Sequence, residues 1–253
     1  MSSGRAALIK AAPTAVDAFS QVATIPPPDL TNPAVSEFAD QCAMDVSSVD
    51  ATQRSAFFAA TGDQAFAVVQ RIYAHDFVPR VRAVLDAVFG PSEWPAAGDA
   101  PADSWAVLES FMVAVARLRN LDPVLTELVR LRGARLHDCA VCKSRRSQDA
   151  IEAGADEDTF ATVDSYAASG LPADTKAALA LTDTLIQTPY DVPADVIDGA
   201  REHLTEAQVV EVVLDVMRNA ANKIAVALGS DAAATEGIEL FTTDADGNLT
   251  VLA

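Results

Sequence analysis

From Ser55 to Gly229 the apolar residues recur at three- and four-residue steps, a pattern that an amphipathic helix buries and a strand does not, so the chain is constrained to pack helix on helix. Phe66, Val69, Tyr73, Phe77, Val81, Val84 and Leu85 form one such stripe, and Pro79 within it predicts a kink or break near Val78. The stretch Gly90 to Asp103, with Pro91, Pro95, Gly98 and Pro101, reads as a loop, followed by a helix from Trp105 to Arg117. Asp122-Pro123 pairs an N-cap with proline at the first helical position and launches a helix over Val124 to Leu136, which His137-Asp138 breaks. A second helix is expected from about Cys139 to Ala153, closed at Gly154. Asp156 caps another through Ala167, and Thr175 to Gln187 forms the next. Thr205 to Gln208 fits a capping box before a long helix ending at Gly229.

The fold class is therefore all-α, with one exception at the end: Ile238 to Leu252, around the turn Asp246-Gly247-Asn248, has hairpin character. Pro26-Pro27-Pro28 and Asn32-Pro33 set off an N-terminal docking arm. The division is an arm at 1–33, a helical subdomain at 34–120, a helical core at 121–230 and a tail at 231–253. A weak internal echo pairs Val69, Tyr73, Asp76 and Arg80 with Val212, Val216, Asn219 and Lys223.

With 36 acidic residues against 18 basic, the formal charge of −18 repels phosphate backbones and anionic surfaces, which argues against nucleic acid as a partner. Charges interrupt the helices before they reach the roughly 20 apolar residues of a membrane span, and Ala6 to Ile9 is too short an apolar run for an export signal. A cytoplasmic location and no membrane partner are expected. An alanine-rich chain that is 50% hydrophobic has more apolar surface than one bundle buries, which predicts a homo-oligomer.

Two of the three cysteines, Cys139 and Cys142, stand in C-x-x-C spacing at an expected helix start. There the sulfurs come within disulfide reach, and free backbone N–H groups favour a thiolate. If the flanking helices fold back on one another, Glu127 approaches Arg146, and Arg146 is the i+4 neighbour of Cys142, where its guanidinium stabilises a thiolate. Arg130, Arg132, Arg135, Lys143, Arg145 and Arg146 bracket the pair, either as a solvated face or as local positive potential. Cys42 reads as an inert buried thiol, His137 as a turn residue, and His75, Asp76 and Arg80 as a structural polar patch.

The run from Leu121-Asp122-Pro123 through Glu127, Leu131-Arg132, Cys139 and Cys142 to Gly154 resembles the alkylhydroperoxidase D-like branch of the carboxymuconolactone decarboxylase superfamily. That family places a glutamate twelve positions before the first cysteine, as Glu127 stands before Cys139, and a histidine four after the second, where this chain has Arg146. The resemblance extends from Asp122 to about Gly229 and implies an all-α fold, oligomerisation and thiol-dependent peroxidase or disulfide reductase activity. Glu127, Cys139 and Cys142 take the family's roles. Arginine cannot shuttle a proton at neutral pH, so Arg146 keeps only the part of stabilising the thiolate.

The leading expectation is an oxidoreductase in which Cys142 attacks a hydroperoxide or small disulfide and Cys139 resolves the product as an intramolecular disulfide. It needs no metal or organic cofactor, and an external thiol reductant closes the cycle. Two alternatives stay open. One is a lyase or isomerase of the decarboxylase branch, holding an anionic substrate near Arg145, Arg146 and Glu127; the other is a non-catalytic oligomeric binding protein with a redox-sensitive clamp.

Overall fold

The computed structural model describes residues 3–96 and 98–252. Met1, Ser2, Ala97 and Ala253, on which parts of the expected arm, proline loop and tail fall, lie outside the described residues. The chain is mostly helical, with a small three-stranded sheet added.

The expected arm is two helices, α1 (Gly4–Ala11) and α2 (Val16–Val22), and it docks on its own chain. Leu8, Phe19 and Val22 are buried, α1 and α2 packing against helices that come later in the chain. Helix α3 (Pro33–Asp45) is capped by Asn32, and α4 (Ala51–Thr61) by a reciprocal Asp50–Gln53 box. Helix α5 (Ala65–Phe89) runs through Pro79, so of the expected kink or break the break does not occur. Proline removes one backbone bond there, but Val69, Ile72, Tyr73, Phe77, Val81, Val84 and Leu85 are buried on both sides of it, and that packing holds the helix together.

Next come α6 (Ser104–Ala116), capped by Asp103, and α7 (Pro123–Leu136). The expected second helix from Cys139 to Ala153 is instead α8 (Ala140–Lys143), strand β1 (Arg145–Ser147) and α9 (Gln148–Glu152). Asp156 does cap a helix, α10 (Glu157–Ala161), which continues to Ala168 only as 3-10 turns. Helices α11 (Ala173–Gln187) and α12 (Ala194–His203) precede α13 (Glu206–Ala220), which opens on the predicted Thr205–Gln208 box. The long terminal helix divides at Ala221-Asn222, and α14 (Lys223–Leu228) ends on Gly229 in the left-handed conformation.

Helix α13 is buried on nearly all sides, its valines at 209, 210, 212, 213 and 216 all buried, and it packs against α1, α5, α6, α7 and α11. A helix buried on nearly all sides belongs at the centre of a helical body, and here it forms the axis against which the site is built. The tail forms the expected hairpin from β2 (Glu239–Thr243) and β3 (Leu249–Val251). Strand β2 also pairs in parallel with β1, Arg146 opposite Leu240 and Ser147 opposite Phe241.

Candidate functional site

Helix α7 begins where Asp122 accepts the backbone N–H groups of Val124 and Leu125 at 2.9 and 3.0 Å, which fixes the face presented inward. Glu127 lies on that face and is 2% exposed. Its carboxylate takes two bonds from Arg130, at 2.6 and 2.7 Å, and one from the backbone N–H of Ser147 at 3.2 Å. The other side of the Arg130 fork donates to the carbonyls of Cys142 (2.9 Å) and Arg145 (2.7 Å). Arg130, which the sequence reading counted only among a charge cluster, thus joins the predicted glutamate to the cysteine turn.

At the end of α7, Asp138 has φ 51, a left-handed conformation that turns the chain back on itself. The Cys139 amide bonds to Ala134 O, and Cys139 and Cys142 are joined in a disulfide with Cα atoms 5.3 Å apart. Cys139 is the N-cap of α8, its Sγ accepting the Cys142 N–H at 3.3 Å. The N–H groups of Ala140 and Val141 go to the side chain and carbonyl of Asp231, so of the first-turn donors expected to favour a thiolate, the Cys142 amide is the one directed at sulfur.

Arg146 does not stand beside Cys142. The i to i+4 relation required a helix, and the carbonyls that would continue one are taken by arginine side chains: Cys142 O and Arg145 O by Arg130, Lys143 O and again Arg145 O by Arg146 itself. The backbone therefore leaves the helix and pairs with β2. The Arg146 guanidinium turns to Glu157, with two bonds of 3.0 Å, and lies over the Phe160 ring. Its place is structural, fastening β1 to α10.

Of the two readings of the basic cluster, a solvated face or local positive potential, the second is neutralised residue by residue. Arg130 pairs with Glu127, Arg132 with Asp183, Arg135 with Asp164, Lys143 with Asp138, Arg145 with Glu239 and Arg146 with Glu157. Cys42 is buried and its thiol is pushed up to about 12 by that burial, as suits an inert role. The polar patch on α5 is a salt link, Asp76 binding Arg80 at 2.5 Å and Lys223 at 2.9 Å. His75 is apart from it, bonded to Ile25 O.

Two cavities meet at Arg130 and Asn219. One is a space of about 10 Å³ enclosed by Arg130, His137, Cys139, Cys142, Asn219 and Asn222, room for on the order of one water. His137, set aside above as a turn residue, shares this space with both sulfurs. Its ring is buried against the edge of Phe77, its Nε2 has no partner among the described residues, and burial, reinforced by Lys223 and Arg80, holds its pKa well below the usual histidine value. The second cavity, about 300 Å³, lies between the end of α6, α7, α13 and β2, with Glu127 and Arg130 in one wall and Glu211, Asp215 and Arg218 in another. The polar members of α13 were missed in the sequence; their signal was Glu211, Asp215 and Arg218 at spacings of four and three among the valines.

Fold and site together define a mostly helical protein with a buried C-x-x-C disulfide joined through an arginine to a buried glutamate. No family model matches the chain, and no solved structure matches it. Over 239 residues it is 41% identical to "Uncharacterized protein Rv2313c" of Mycobacterium tuberculosis strain H37Rv, an alignment spanning 90% of this chain and 83% of that protein. "Uncharacterized protein MT2376" of strain CDC 1551 matches to the same extent. "Uncharacterized protein YdfG" of Bacillus subtilis strain 168 is 30% identical over 117 residues, 45% of this chain and 80% of its own length. The chain belongs to the family of these proteins.

Proposed function

We propose that the protein is a thiol-dependent peroxidase or disulfide oxidoreductase of the alkylhydroperoxidase D-like kind, working through Cys142 and Cys139. The observation that carries this reading is the enclosure of both sulfurs, already within bonding reach, in one small space with a neutral imidazole and with Arg130, whose guanidinium is held by Glu127 outside it. Cys142 attacks. It is the less buried thiol, 8% exposed against 1% for Cys139.

In the oxidative half, the Cys142 thiolate attacks the outer oxygen of a hydroperoxide, with the neutral His137 ring beside it as a hydrogen-bond acceptor for the thiol. The O–O bond breaks, Cys142 becomes a sulfenic acid, and the departing alkoxide takes up the proton that the thiol gave up. Cys139 then attacks the sulfenic sulfur, releasing water and leaving the disulfide. In the reductive half an external thiol attacks Cys142 Sγ, Cys139 leaves as a thiolate steadied by the Cys142 N–H, and a second thiol completes the two-electron reduction. Glu127, held by Arg130 and the Ser147 amide, orients the arginine that fixes the Cys142 and Arg145 carbonyls.

This chemistry suits the reduced thiols of the cytoplasm, and a homo-oligomer belongs to the same proposal. No helix is long and apolar enough to cross a membrane among the described residues. The test is consumption of an alkyl hydroperoxide with a dithiol reductant. Cys142→Ser abolishes turnover and sulfenic acid formation, whereas Cys139→Ser loses turnover but accumulates sulfenic acid at Cys142. A Cys142→Ser variant that turns over like the parent refutes the assignment.

A further inference from the structure

Arginines paired with carboxylates in the interior of this protein close to hydrogen-bond distance: Glu127–Arg130 at 2.6 Å, Asp76–Arg80 at 2.5 Å, Arg132–Asp183 at 2.5 Å. Asp215 and Arg218 stand 3.8 Å apart, the longest ion pair among the described residues, although their side chains are 4% and 16% exposed. Both line the 300 Å³ cavity, opposite an apolar wall that includes Val115, Leu118 and Phe241. An ion pair left longer than hydrogen-bond distance, with both members facing one cavity, marks where a ligand's polar end is received.

We propose that this cavity binds a small organic carboxylate, its anion on the Arg218 fork and the Asp215 carboxyl, its hydrocarbon body against Leu118 and Phe241. A guanidinium presents donors in a fork that matches a carboxylate. Asp215 is also a donor when protonated, and burial raises its ionisation to about 7, so near neutrality both groups seek an acceptor. The other charges facing the cavity are already engaged. Glu127 and Arg130 hold each other, Glu211 accepts from the Asn120 backbone and side chain, Arg119 donates to the carbonyls of Ala116, Leu118 and Asp244, and Asp149 accepts from Thr242. The inference does not rest on the thiol reading, because its readout is binding.

Calorimetric titration of the full chain with hexanoate, and with hexanamide as the neutral control, tests it. Hexanoate binds saturably and hexanamide does not, and Kd weakens roughly tenfold from pH 6 to pH 8 as Asp215 ionises and repels the anion. Asp215→Asn binds hexanoate with the pH dependence removed, and Arg218→Gln loses binding. Should Arg218→Gln not fold, Arg218→Lys, which keeps the charge and removes the fork, binds measurably more weakly. Absence of saturable hexanoate binding, equal binding of the amide, or undiminished binding by the arginine variants overturns the proposal.

Discussion

At the scale of the residue, two side chains decide what the cysteine pair can do. His137 is buried and neutral with its Nε2 unpartnered, so it is placed to accept a hydrogen bond in the space it shares with the sulfurs, and His137→Leu is expected to slow peroxide turnover by roughly 10-fold at pH 7 while leaving the disulfide able to form. Steady-state assays across pH, with peptide mapping of the oxidised variant, check both parts. Arg130 has a double duty, and replacing it with Met leaves Glu127 buried without its cation; denaturant unfolding should show a loss of about 3–5 kcal/mol. Glu127 and the cysteines were legible because their spacing in the sequence survives folding. Arg130 and His137 were visible only as a charge and a turn, since what sets them beside the cysteine pair is the other side chains that folding brings against them.

At the scale of the element, the informative segment is Cys139 to Glu152, where local reading predicts one helix and the chain makes a helix, a strand and a helix. Periodicity could not reveal this. The carbonyls that a helix needs are captured by Arg130 from α7, and the strand's partner, β2, lies more than ninety residues later at Glu239–Thr243. Capped helices such as α7 and α13 were readable because their start signals are local: Asp122 before Pro123, and Thr205 with Gln208. Pro79 is the opposite case, a local breaker overruled by burial along α5. Arg146, fastened to Glu157 and Phe160, belongs to this scale and not to the thiol chemistry. Arg146→Ala should lower stability by about 1–3 kcal/mol in denaturant unfolding and leave the pH profile of Cys142 alkylation unchanged.

At the scale of the whole molecule, α13 is both the axis of the core and the wall of the larger cavity, so stability and binding draw on the same buried charges. Asp215 holds its proton more tightly folded, at about 7, than in the unfolded chain, near 3.8. Its contribution is fully present below 3.8 and is lost as pH rises to about 7. Asp215→Asn removes that slope. Thermal unfolding of the variant relative to the parent should therefore shift in the variant's favour between pH 4 and pH 8, and a difference that does not change with pH would place Asp215 in water.

The measurement that bears most directly on the dithiol account is peptide mapping of the reduced protein after one equivalent of hydrogen peroxide, followed over time with the cysteines counted by alkylation. The account predicts that Cys139 and Cys142 lose reactivity together and appear as one disulfide-linked peptide, while Cys42 remains reduced behind its buried, high-lying thiol. Oxidation first at Cys42, or loss of the Cys139 and Cys142 thiols no faster than that of a free cysteine in solution, would contradict it.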